Sequence, residues 1–155
     1  MLFRSARAAA ATKAQSLGVS VHGNAETLYD DVAAAALLMT RTLPTAPGLM
    51  IWGGEPTVVL PPDPGQGGRN QALALHLARE IRGRADLSVL VAGTDGSDGP
   101  TTAAGGLVDG RTWDDSATAF LHAADSGSYL ASRDARFTSR PTGTNVMDLA
   151  LALRA

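Results

Sequence analysis

Asp95 and Asp98 stand three residues apart in Ala92-Gly-Thr-Asp-Gly-Ser-Asp-Gly-Pro-Thr-Thr-Ala-Ala-Gly-Gly106. Glycine neighbours let backbone and ligand approach closely. Two carboxylates at this spacing can hold Mg²⁺, which takes a few hard oxygens plus substrate phosphates. Alternatively, one of them can accept a hydroxyl proton. An Asp-Gly turn cluster with no ligand has the same composition. Thr94 adds a hydroxyl beside Asp95.

Three other segments carry polar groups. In Gly65-Gln-Gly-Gly-Arg-Asn-Gln71 a glycine loop runs into a helix. Backbone N–H groups around Gly67, Gly68 and Asn70, together with Arg69, form an anion site by pattern. A flexible linker with Asn70 as N-cap is the plainer alternative. Arg140-Pro-Thr-Gly-Thr-Asn-Val146 offers the Thr144 hydroxyl and the Asn145 amide to a polar ligand, or simply makes a turn. Gly53-Gly-Glu-Pro-Thr57 places a carboxylate after a strand, and a turn is again the plainer reading. No Gly-Lys-Ser/Thr follows the glycines, so there is no P-loop, and no Gly-x-Gly-x-x-Gly joins a strand to a helix. His22, His76 and His122 lack metal-ligand spacing, and Trp52 and Trp113 read as packing residues.

These loops need elements to hold them. Ala6 to Leu17 reads as a helix closed by Gly18, and Val19 to Val21 as a short strand. Asn24 or Thr27 caps a second expected helix, Ala25 to Thr42, on the spacing of Leu28, Val32, Ala35 and Met39. Leu49 to Trp52 and Thr57 to Leu60 read as strands. Arg69 to Arg82 is the clearest helix, with Leu73, Leu77 and Ile81 on one face and Gly83 at its end. Leu87 to Ala92 reads as a strand buried on both faces. It feeds the Asp95 loop, where α/β proteins collect ligands. A short strand Gly106 to Asp109 and a helix Thr112 to His122 follow, and Tyr129 to Phe137 is open between helix and loop. From Met147 to Arg154 the period of two favours a strand, with a helix from Asn145 as the competitor. The class is α/β: a layered sandwich with a mixed sheet flanked by helices. Residues 1–47 form a helical segment before a core of 48–155.

The chain has 155 residues, no cysteine, 13 Lys+Arg against 15 Asp+Glu and a formal net charge of -2. Disulfide frameworks, Cys-ligated metals and cysteine nucleophiles are excluded. There is no basic excess for nucleic acid or an anionic membrane. The apolar run Val32 to Met39 is too short to span a bilayer, and the opening residues have no signal-peptide core. A cysteine-free chain suits a reducing cytoplasm.

In order, Gly53-Gly-Glu-Pro-Thr-Val58, Gly67-Gly-Arg-Asn-Gln71, Ala92 to Thr101 and Pro141-Thr-Gly-Thr-Asn-Val-x-Asp148 resemble the MOFRL domain. This is the C-terminal part of class II glycerate 2-kinases, whose members are often labelled hydroxypyruvate reductases. The resemblance runs from about Leu49 to the end, and residues 2–47 resemble the helical segment preceding that domain. It implies phosphoryl transfer from ATP, with Mg²⁺, to D-glycerate. The cleft is shared with an N-terminal kinase domain, in cis or as a separate chain, that supplies a catalytic lysine. By motif position Arg69 matches the substrate-proximal arginine and Asp95 the catalytic aspartate. Asp98 is the candidate metal ligand. Gly67, Gly68, Asn70, Thr94, Thr144 and Asn145 are the candidate substrate contacts. A hydroxypyruvate reductase and a non-catalytic anion-binding module are the alternatives; the first lacks a dinucleotide fingerprint. Departures from the family pattern fall at Ala72, Pro56 and Arg140, where Glu, Thr and Gly are usual, and at Asp125 to Tyr129.

Overall fold

The period-two run at the C-terminus is a strand, and it lies inside the sheet. The computed structural model describes residues 2–155; Met1, at the head of the segment read as lacking a leader, lies outside them. The elements in chain order are α1 (Leu2–Ser16), β1 (Val21–Leu28), α2 (Val32–Arg41), β2 (Gly48–Gly54), α3 (Arg69–Glu80), β3 (Leu87–Gly93), β4 (Gly105–Asp109), α4 (Ala117–His122), α5 (Ser126–Ser132), β5 (Arg136–Phe137) and β6 (Asp148–Arg154). The sheet has six strands in the order β1-β2-β6-β3-β4-β5. Only β1 and β2 pair in parallel; β6 runs antiparallel to both β2 and β3. It is a mixed, open α/β sheet with helices on its faces, as expected.

Alternation along β6 explains the two layers. Ala150 and Ala152 are fully buried on one face, and Leu149 and Leu151 point to the other. Helix α3 covers the alanine face of the sheet, lying closest to β3 and β4. Leu73, Leu77 and Ile81 of that helical region meet Trp52, Val89, Val91 and Val108 in the main core. On the opposite face Ala14 of α1 meets Leu49 and Ile51 in a smaller cluster. Arg7 ties α1 to the edge strand through Asn24 and Glu26.

Several local expectations are corrected. Val21–Leu28 is a strand, so the expected helix from Ala25 loses its first part. Its true start is α2, where the Asp31 carboxylate accepts the Ala33 N–H, rather than Asn24 or Thr27. Parallel pairing with β2 overrides the helical spacing, and Leu28 is buried at the strand's end instead. Residues 1–47 therefore contribute a strand to the sheet as well as two helices. Thr57 to Leu60 is no strand: one bridge, Thr57 to Asp31, is all that forms between flanking prolines. β3 buries only the face of Leu87, Val89 and Val91, since Ser88 on the other face is exposed. Helix α4 covers only the end of the expected Thr112 to His122 span. The open segment resolves into α5 ending at Ser132 and a two-residue β5. Trp52 and Trp113 are buried packing residues, as read.

His76, on α3, gives a pH dependence. Burial lowers its imidazole below the ordinary value of about 6.5, and Arg79 adds to the effect. Between the lowered and ordinary values the unfolded chain binds more protons than the folded one. Stability is therefore full above the ordinary value and falls as pH drops through it. Urea unfolding at a series of pH values should show this slope in the wild type and a shallower one in His76→Gln. Identical slopes would remove His76 from the account.

Candidate functional site

β2 and β3 point the same way, and β6 begins between their ends. Asp148, the first residue of β6, lies opposite Gly54 in β2 and Gly93 in β3. One residue beyond Gly54 is Glu55, and two beyond Gly93 is Asp95. Helix α3 starts above the same point, with Arg69 as its first residue. Three polar loops therefore meet at one end of the sheet, where the carboxyl ends of two strands lie.

The glycine loop is held by a carboxylate from another loop. Gly68 is the N-cap of α3 and has no side chain to cap with. Asp98 does it instead: Oδ1 accepts the Asn70 N–H at 3.0 Å, and Oδ2 accepts the Gln71 N–H at 2.8 Å and its Nε2 at 2.9 Å. A carboxylate at a helix N-terminus satisfies orphan donors and suits the dipole. Gly68 is required by this approach, because a Cβ there would lie 2.4 Å from the Asp98 carboxyl carbon. Burial pushes the Asp98 carboxyl up, while its N–H donors pull it down.

Two expectations change here. The helix N–H groups do not form an open anion site, because Asp98 already fills it. The metal role expected for Asp98 gives way to capping: it is 4% exposed, and both oxygens accept N–H bonds. Among the described residues no group of three or more His, Asp or Glu side chains gathers as a metal cluster.

Arg69 keeps its side chain for the cleft. Its Nε donates to Asp148 Oδ2 at 2.7 Å, and Nη1 lies 3.1 Å from Glu55 Oε1. The Asp148 hydrogen bond raises the guanidinium further, with Glu55 adding to it. The two partners differ in kind: Asp148 is 2% exposed at its side chain and Glu55 54%. A buried carboxylate fixes the guanidinium, while an exposed one can be exchanged for an incoming anion.

Asp95 is half-buried on the facing loop. Its Oδ1 accepts the Ser97 N–H at 2.9 Å and hydroxyl at 3.0 Å, and its Oδ2 accepts Asn145 Nδ2 at 3.2 Å. Gly96 makes the turn with φ +87, a conformation that side chains rarely adopt. The third loop, residues 140–147 before β6, is bolted to the Asp95 loop through Thr94. Its hydroxyl donates to the Met147 carbonyl at 2.7 Å and accepts the Val146 N–H. Met147 itself has φ +69, so the chain enters β6 through a left-handed residue held by Thr94.

Arg69, Asp95, Gly67, Gly68, Asn145 and Asp148 all line one cleft of about 300 Å³. Val58 and Leu60 close one side with apolar surface. Of the expected contacts, Asn70 is 1% exposed, with its amide donated to Asp148, and the Thr94 hydroxyl is spent on the third loop. Both shape the site rather than offer free groups. Thr144 is exposed and outside the cleft wall. A wider depression of about 720 Å³ lies at the other end of β3 and β4, lined by Asp109, Arg111, Thr112, Arg133 and Asp134. Sequence reasoning left two residues without a role: Asp148 entirely, and Glu55, read as a turn. Asp148 falls on the period-two face of Ala150 and Ala152, but nothing local marks that face as covered. Tyr129 is a core residue whose hydroxyl donates to the Thr112 carbonyl.

Fold and cleft together define an open α/β domain with a loop-built polar site at its strand ends. Residues 48–148 match the MOFRL family model, and the chain belongs to the MOFRL family. It is 44% identical over 113 residues to the D-glycerate 2-kinase of Thermotoga maritima, covering 69% of this chain and 27% of that protein. It is 34% identical over 162 residues to the glycerate 2-kinase of Pyrococcus horikoshii, covering 94% of this chain and 36% of that protein. The crystal structure of the Thermotoga maritima glycerate kinase superposes with a TM-score of 0.83 at 34% identity, covering 93% of this chain and 38% of that one. A Pyrococcus horikoshii structure superposes at 0.86 and 30%, covering 96% and 37%. The chain thus spans roughly a quarter to two fifths of the length of these relatives.

Proposed function

We propose that this chain forms one wall of the active site of a glycerate 2-kinase, as its C-terminal domain. The other wall is the N-terminal kinase domain of its longer relatives, in cis or as a separate chain. The observation that carries the reading is that Arg69 and Asp95 line the same cleft. Phosphoryl transfer asks a protein mainly for positioning and charge neutralisation. Asp95 takes the proton of the 2-hydroxyl of D-glycerate as that oxygen bonds to the γ-phosphorus of ATP and the bond to ADP breaks. Arg69 exchanges Glu55 for the substrate carboxylate, Asp148 keeping its other edge in place. Asn145 and Ser97 hold the Asp95 carboxylate toward the cleft. The reaction is expected to run in the cytoplasm.

Mg²⁺ fits this chain poorly on its own. Asp98 is spent on the helix cap, and Asp148 on Arg69 and Asn70, which leaves Asp95 as the one cleft carboxylate with an outward role. One carboxylate is the minimum of what Mg²⁺ uses.

The test is complementation. With D-glycerate and Mg·ATP, the 155-residue chain should release ADP at background rate. Joined to the preceding part that its relatives carry, it should turn over. NADH oxidation with hydroxypyruvate should stay at background in both. Robust turnover by the chain alone, or an inactive but folded joined polypeptide, contradicts the reading.

A further inference from the structure

We propose that Asp148 is the positioning residue of the site: a buried carboxylate that orients Arg69 for anion binding, with the Asn70 amide holding the carboxylate in place. The inference rests on the proposed role of Arg69 in holding a carboxylate. Its basis is geometric. Asp148 is 2% exposed and sits at the start of β6, between Gly54 and Gly93. Its Oδ2 accepts Arg69 Nε at 2.7 Å, and its Oδ1 accepts Asn70 Nδ2 at 3.0 Å and Arg69 Nη2 at 3.4 Å. Arg69 is thereby held along one edge, with Nη1 turned toward the exposed Glu55.

The Asn70 amide supports this assignment. Its Oδ1 is buried with no hydrogen-bond partner among the described residues. A buried acceptor left unpaired is costly and calls for an explanation. The explanation is that the amide must present Nδ2 to Asp148. The carboxylate dictates how the amide faces, although that leaves the oxygen unpaired. Asp148 shares the β6 face of Ala150 and Ala152, where an ordinary core strand would carry an apolar side chain. A carboxylate is retained at a position where burial is expensive, and both groups it engages line the cleft. Its neighbours on the two flanking strands lead directly to Glu55 and Asp95. One side chain thus links the first turn of α3 to the ends of both strands.

The substitution Asp148→Asn keeps size but turns one of the two acceptors into a donor. The Asn70 amide can turn its unpaired Oδ1 to the new donor, so Arg69 Nε keeps an acceptor but loses the charge that strengthens the bond. The readout is the Nε–Hε signal of Arg69 in ¹⁵N NMR of the 155-residue chain, assigned by its loss in Arg69→Lys. In the wild type that proton should exchange with water at least about tenfold more slowly than the Nε–H of exposed Arg41, the scale of a charge-assisted hydrogen bond. In Asp148→Asn the protection should drop toward that of Arg41 while the backbone spectrum remains that of the folded protein. In the joined polypeptide, KM for D-glycerate should rise roughly tenfold with a smaller change in kcat. A purely structural Asp148 would lower the melting temperature and leave the Arg69 signal and KM alone, which overturns the proposal. Should the variant not fold, the wild-type measurement decides: exchange at Arg69 as fast as at Arg41 overturns it. If the wild-type joined polypeptide ignores D-glycerate, the kinase reading fails. The Arg69 signals still report on Asp148 in that event.

Discussion

Asp95→Asn is expected to lower kcat of the joined polypeptide by about 10²–10⁴-fold, the usual worth of a positioned general base. KM for D-glycerate should change little. Asn keeps the size of the side chain and can still accept from Ser97 through its oxygen. It cannot take up the 2-hydroxyl proton. The loop around it is independently tethered through Thr94 to Met147 and Val146, so the cleft should survive the change. Steady-state kinetics in a protein shown folded by circular dichroism checks this. A near-normal kcat would make Asp95 a loop-shaping residue. Asp98 would be a poor successor, because its oxygens accept the N–H groups of α3.

The second large effect concerns Arg69, and the structure dictates which substitution is informative. Arg69→Ala leaves Asp148 buried with only Asn70 as partner. Breaking a fully buried ion pair costs about 3–5 kcal/mol, and the one-third exposure of Arg69 makes that an upper bound here. The alanine variant therefore mixes lost stability with lost binding. Arg69→Lys keeps a charge for Asp148, but an ammonium is a single point and cannot also present Nη1 to the cleft. A lost hydrogen bond to a charged group costs about 1.5–3 kcal/mol, roughly 10–100-fold in affinity. We expect KM for D-glycerate to rise by that factor while kcat falls less. The opposite split, a fall in kcat at constant KM, would assign Arg69 to the transferring phosphoryl group alone.

The readable parts of this sequence were those with strong local patterns. Helix α3 shows its apolar stripe and its closing glycine, and β6 shows its period of two. The Arg69 and Asp95 loops were legible because glycine-rich polar segments abut apolar strands. What stayed hidden depends on contacts distant in sequence. β1 reads His-Gly-Asn-Ala-Glu-Thr, with no apolar run, and is a strand because β2 supplies backbone partners. Asp98 caps a helix that begins nearly thirty residues earlier. Asp148 looks like the polar residue of an alternating strand until α3 is laid over that face. There it becomes a buried carboxylate between two loops. Glu55 reads as part of a turn because its partner, Arg69, lies across a proline-rich loop. Charge pairing across folded loops has no local signature, and such pairing builds most of this site.

On the proposed function, D-glycerate is phosphorylated at its 2-hydroxyl in the cleft between Arg69 and Asp95. ³¹P NMR of the joined polypeptide with D-glycerate and Mg·ATP tests it most directly, run beside the Asp95→Asn variant. The expected result is a growing 2-phosphoglycerate signal that is nearly abolished by Asp95→Asn. A 3-phosphoglycerate signal, or 2-phosphoglycerate formed equally fast by the variant, would contradict the account.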